Sequence, residues 1–116
     1  MKYSGSFYHD LSFGEEAEEW VKCLFSGKFK VEVKNDRQAL STGNLYIEVY
    51  SRDKPSGIST TDADVWIFCL GDITLCIKTE RLKAIVKNFY KGKFVKGGDN
   101  DTSSGVLIPI KNLFYE

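Results

Sequence analysis

A change of hydrophobic period at residue 29 is the feature that most restricts how this chain folds. Upstream of it, Phe13, Ala17, Trp20, Val21 and Leu24 recur at helical spacing, so one side of the segment 13–25 is apolar. Ser12 stands where an N-cap would, and Glu15 and Glu16 fall in the first turn, where the helix dipole favours acids. From Phe29 the period is two: Phe29, Val31 and Val33 point one way while Lys30, Glu32 and Lys34 point the other. A helix followed by a strand with one buried face is therefore predicted.

The polar segment 35–44 ends in Gly43-Asn44, after which Leu45, Ile47 and Val49 alternate with Tyr46, Glu48 and Tyr50. Two strands joined by a long turn are the natural reading. Residues 65–70 and 73–77, separated by Gly71-Asp72, predict a third and fourth strand, more deeply buried than the first two. Leu82, Ile85, Val86 and Phe89 then give a second amphipathic helix behind a possible Thr79 cap. A loop over 97–105, rich in Gly, Asp and Ser, precedes a last short strand at 106–110. The order helix, four strands, helix, strand implies an α/β or α+β domain built on one central sheet. With 116 residues the chain has room for a single domain, 1–116.

Sixteen basic and sixteen acidic residues cancel, so a phosphate-binding face would need locally segregated lysines; those at 28, 30, 34, 91, 93 and 96 are the candidates. Cys23, Cys69 and Cys76 sit in apolar runs without zinc-knuckle spacing and read as buried thiols of a reducing compartment. No basic leader and no uncharged run of ~20 residues occurs, so a cytoplasmic protein without a membrane partner is expected.

Asp36, at the end of the first strand, and Glu48, within the second, are the acids best placed for chemistry. Two carboxylates from different strands suit a hard divalent cation such as Mg²⁺ or Mn²⁺, which prefers oxygen ligands and can activate water against a phosphodiester. The same residues are also compatible with charged, solvated strand faces. A plain hairpin closing on 37–43 would set Glu32 opposite Glu48 and leave Asp36 roughly 13 Å away, at ~3.3 Å per residue. A bulge or a looser register is needed to join Asp36 to Glu48.

The order Gly14-Glu15-Glu16-Ala17-Glu18, Glu32-Val33-Lys34-Asn35-Asp36, Thr42-Gly43-Asn44 with Ile47-Glu48, Lys54-Pro55-Ser56-Gly57-Ile58, and Thr60-Thr61 with Ala63-Asp64 resembles small phage-type nucleases of the PD-(D/E)XK superfamily. The resemblance covers roughly residues 13–70. It implies a restriction-endonuclease-like core, a central mixed sheet flanked by helices, and Mg²⁺-dependent hydrolysis of DNA, in the host cytoplasm if the chain is phage-encoded. Asp36 then matches the metal-binding Asp and Glu48 the Glu of the E-x-K triplet. Glu18 or Glu15 matches the helix Glu of some members; Glu18 is preferred because it flanks the apolar side beside Val21 and Phe25.

The triplet departs from the pattern, because Tyr50 stands where a lysine belongs. Lys54, in the Lys54-Pro55-Ser56-Gly57 turn, is the favoured substitute, and Lys34 is the alternative on the polar strand face. A homodimer would be the simplest route to a double-strand cut. A non-catalytic binding module on the same architecture is the rival reading. His9 has no catalytic partner in a recognisable arrangement, and Thr60, Thr61, Asp62 and Asp64 read as cap or turn residues, with Thr60 as an alternative phosphate contact. Gly97-Gly98-Asp99 lacks the Gly-Lys-Ser/Thr ending of a P-loop and reads as a hairpin connection, with a loop over bound DNA as the alternative.

Overall fold

The computed structural model of the protein describes residues 7–89 and 94–114. The chain divides into two compact units, Met1–Lys30 and Val31–Glu116. In the first, helix α1 spans Phe7–Phe25. It starts ahead of the sequence expectation, so Ser12 is an interior residue rather than a cap. At its end Ser26 donates its N–H to the Lys22 carbonyl at 2.9 Å, and Gly27 takes a left-handed φ of 79° that turns the chain. Trp20 and Phe29 then meet with ring centroids 6.2 Å apart.

The second unit is an α+β fold with two sheets rather than one. In the first sheet, of order β1-β4-β5, β1 (Val31–Asn35) runs parallel to β4 (Val65–Cys69), and β4 pairs antiparallel with β5 (Thr74–Lys78). The other sheet is antiparallel, of order β3-β2-β7-β6, from β2 (Asn44–Ser51), β3 (Lys54–Pro55), β6 (Val95–Gly97) and β7 (Ser103–Pro109). β6 and β7 form a hairpin across the Gly-rich segment, so β7 begins at Ser103, inside the expected loop.

The hairpin expected between β1 and β2 does not form. Residues 39–42 make a short helix, α2 (Ala39–Thr42), which Gly43 ends in a left-handed conformation of φ 76° while donating its N–H to the Ala39 carbonyl. Ala39 is buried, so this turn is anchored in the core, and it carries the chain from one sheet into the other. A parallel β1–β4 pair requires a long crossover, and the intervening residues 36–64 supply it.

The faces of β1 are also reversed. Val31 and Val33, expected to be buried, are 38% and 57% exposed, whereas Glu32, Lys34 and Asp36 are half-buried. Alternation fixes which residues share a face but not which face turns inward. Here the inward side borders a polar pocket.

One core joins the two sheets and helix α3 (Thr79–Phe89). Trp66 and Phe68 come from β4, Leu45 and Ile47 from β2, Val106 and Ile108 from β7, and Leu82, Ile85 and Val86 from the apolar stripe of α3. Thr79 is the first residue of α3 rather than its cap. Its hydroxyl is buried without a hydrogen-bond partner among the described residues. No described helix is long and apolar enough to cross a membrane.

Candidate functional site

Asp36 follows directly on β1 and extends its pairing, donating its N–H to the Cys69 carbonyl at 3.0 Å. Its carboxylate crosses to the other sheet, where Oδ2 accepts the Tyr46 N–H at 3.0 Å. That edge of β2 is open there, since β3 covers only Tyr50 and Ser51. Asp36 thus satisfies a strand-edge donor that would otherwise need water.

Glu48 lies two residues beyond Tyr46 on the same face of β2. Its Oε2 accepts the Ser56 hydroxyl at 2.8 Å. The turn that carries Ser56 is pressed onto the strand: Gly57 has φ 56°, and a Cβ there would overlap the Glu48 carbonyl oxygen. The glycine is required both by the backbone conformation and by this close approach.

Immediately after Glu48 the strand bulges, the register passing from Glu48 opposite Gly105 to Tyr50 opposite Ser104. Val49 is the extra residue. Its carbonyl is held by the Ser56 N–H and by the Ser59 hydroxyl, each at 2.9 Å, so the bulge leaves no orphaned acceptor. The bulge also breaks the period of two. Tyr50 lies in a separate, largely apolar cavity of about 240 Å³ with Val86 and Phe94, its ring edge-on to Phe94 at 5.5 Å.

Asp36 and Glu48 line one pocket of about 480 Å³ together with Lys34, Arg37, Tyr46 and Trp66. Lys34 projects from β1 with its ammonium 5.6 Å from the centre of the Trp66 ring and 3.9 Å from Glu32 Oε2. At the far wall Gly97 and Gly98 admit the Tyr46 ring and the Ser103 side chain, since a Cβ on either glycine would fall within 3.0 Å of them. The Tyr46 and Ser103 hydroxyls share a hydrogen bond of 2.8 Å. Both acids, two cations and a hydroxyl pair therefore meet in one concavity.

The structure brings together Asp36 and Glu48, the two acids selected from sequence, across two sheets rather than along a hairpin. Lys54 stands exposed on β3 and does not line the pocket, whereas Lys34 does. Glu18 is exposed on α1, in the other unit. Lys91 and Lys93 lie outside the described residues; Lys96 is exposed on β6, its ammonium 3.3 Å from the Ser104 hydroxyl. Thr61 serves as the expected turn residue, its hydroxyl accepting the Ala63 N–H at 3.1 Å.

The cysteines are free but not buried as expected: Cys23 and Cys69 are half-buried and Cys76 is exposed. Partial desolvation of the Cys76 sulfur nonetheless raises its pKa. Ser56, Arg37 and Trp66 were not singled out in advance, although Ser56 stood in one of the quoted motifs.

Among the described residues no group of three or more His, Cys, Asp or Glu side chains is arranged to hold a metal. Asp36 and Glu48 line one pocket and are of the oxygen-donor type that Mg²⁺ takes, one or two carboxylates with several waters. Each carboxylate has one oxygen fixed by a protein donor. The other oxygen of each has no protein partner among the described residues. Comparison with known proteins finds no matching family model, curated protein or solved structure.

Proposed function

We propose that the protein is a Mg²⁺-dependent endonuclease acting on DNA, with a core of the PD-(D/E)XK type and its site in the Val31–Glu116 unit. The observation that carries this reading is that Asp36 and Glu48 line the same pocket. They reach one pocket from different sheets, each pinned through one oxygen and each with the other oxygen available. Hydrogen-bonded carboxylates of this kind are the usual form of oxygen ligands to hard cations. The bound cation would supply an activated water and neutralise charge on the phosphodiester.

The chain's own residues do the rest. Asp36 and Glu48 would hold the cation. Lys34, whose ammonium lies over Trp66 and which lines the same pocket, would take the role of the missing triplet lysine against the developing phosphate charge. Arg37, beside Asp36 in the same pocket, contributes a further phosphate contact. Lys54, the first choice from sequence, is the competing candidate for the lysine role. A homodimer would place two such sites on a duplex and allow both strands to be cut.

The test is nicking of supercoiled plasmid with Mg²⁺ or Mn²⁺ and with chelator. Metal-dependent nicking that is lost in Glu48→Gln is expected, together with DNA affinity that falls steeply with salt. The absence of a third acid among the described residues favours one rival, a module that binds without cutting. DNA binding indifferent to chelator, without nicking, would establish that rival.

A further inference from the structure

We infer that Ser56 is the positioning residue for Glu48, setting which carboxylate oxygen is offered to the cation; this rests on the metal-dependent reading above. Three observations on the 54–59 turn converge. The Ser56 hydroxyl donates to Glu48 Oε2 at 2.8 Å. Its backbone N–H binds the carbonyl of the bulged Val49 at 2.9 Å, so the donor is fixed to the strand that carries its acceptor. Gly57, whose missing Cβ lets the turn lie against the Glu48 backbone, brings the hydroxyl within reach.

The turn thus holds the strand at the Val49 carbonyl and the acid by its side chain. A glutamate has three rotatable side-chain bonds, and an exposed one samples many rotamers. Tying Oε2 to a half-buried serine restricts that freedom before a cation arrives and leaves Oε1 as the oxygen without a protein donor among the described residues. Ser56 touches neither the cation nor the substrate in this arrangement; it acts through Glu48. The Lys54-Pro55-Ser56-Gly57 motif accordingly serves the site through its serine and glycine rather than through its lysine.

The experiment is a Tb³⁺ titration of the full chain without DNA. Emission is sensitised by Trp66 and Tyr46, which line the same pocket. Glu48→Gln should abolish saturable binding. Ser56→Ala should weaken it by about tenfold or more, the usual effect of deleting a hydrogen-bond partner of a metal ligand. Ser56→Thr keeps a hydroxyl in an extended backbone conformation, φ −156°, that threonine readily adopts, and should bind within about twofold of the parent protein.

Ser56→Val has the shape of threonine without the hydroxyl. If Ser56→Ala fails to fold, the Thr and Val pair decides. Tb³⁺ affinity equal in Ser56→Val and Ser56→Thr overturns the positioning role, even where Glu48→Gln has lost binding and the metal site stands. Undiminished binding in Glu48→Gln overturns the metal reading itself, and the role of Ser56 with it.

Discussion

Asp36 accepts the Tyr46 N–H and, in the proposed function, is also a cation ligand, and two substitutions separate these roles. Replacing it with alanine removes the acceptor for the Tyr46 N–H, which the structure places at 3.0 Å on an edge of β2 that β3 does not reach. Stranding a fully buried donor costs about 1–3 kcal/mol. Both residues are half-buried, so water recovers part of the bond, and the lower part of that range, about 1–2 kcal/mol, is expected. For a chain of this size that lowers Tm by about 4 °C per kcal/mol.

Asparagine keeps an oxygen that accepts the same N–H while losing the charge, so Asp36→Asn should stay within about 0.5 kcal/mol of the parent protein. Urea unfolding in chelator measures the fold alone, since metal binding to the native state would add its own stabilisation. Tb³⁺ titration of the two variants then measures the ligand role, which both should lack. Equal stability of Asp36→Ala and Asp36→Asn would refute the strand-edge argument. Retained metal binding in Asp36→Asn would refute the ligand assignment.

Lys34→Ala should slow nicking by about 10²-fold with little change in DNA affinity, while Lys54→Ala leaves the rate within a few-fold. The reverse order in single-turnover assays would return the role to the Pro55–Gly57 turn. Because burial raises the Cys76 pKa, less thiolate is present at any pH near 8 than in the unfolded chain. Iodoacetamide should therefore label Cys76 more slowly in the native protein than in urea, despite its exposure. Equal rates by mass spectrometry would contradict that desolvation.

Local periodicity revealed the elements whose burial follows from their own pattern. Leu45 and Ile47 of β2, Trp66 and Phe68 of β4, and Leu82, Ile85 and Val86 of α3 enter the core, whereas β5, expected to be deeply buried, has no fully buried residue. Pairing was another matter. Val31 through Lys34 alternate correctly, but the partner of β1 is β4, far along the chain, and no local pattern states that Glu32 and Lys34 face inward.

For the same reason Asp36 and Glu48 were legible as acids on two strands, while the route that joins them through α2 was not. Nor was Ser56 legible as the partner of Glu48. Its contact depends on Gly57 lying flat against β2, a fact of packing rather than of spacing.

Val49 makes counting along the chain a poor guide to neighbourhood. Two residues on from Glu48, an unbulged strand would return to the same side, and a scan for E-x-K reads Tyr50 there as a decayed triplet. Because of the inserted residue, the side chain at that position stands with Val86 and Phe94 instead. A lysine grafted at position 50 would join Lys83 and Lys87 in that cavity rather than the pocket that Glu48 lines. In chains that share this insertion, the proposed function makes the residue to compare the one occupying the place of Lys34, on a different strand and fourteen positions before Glu48.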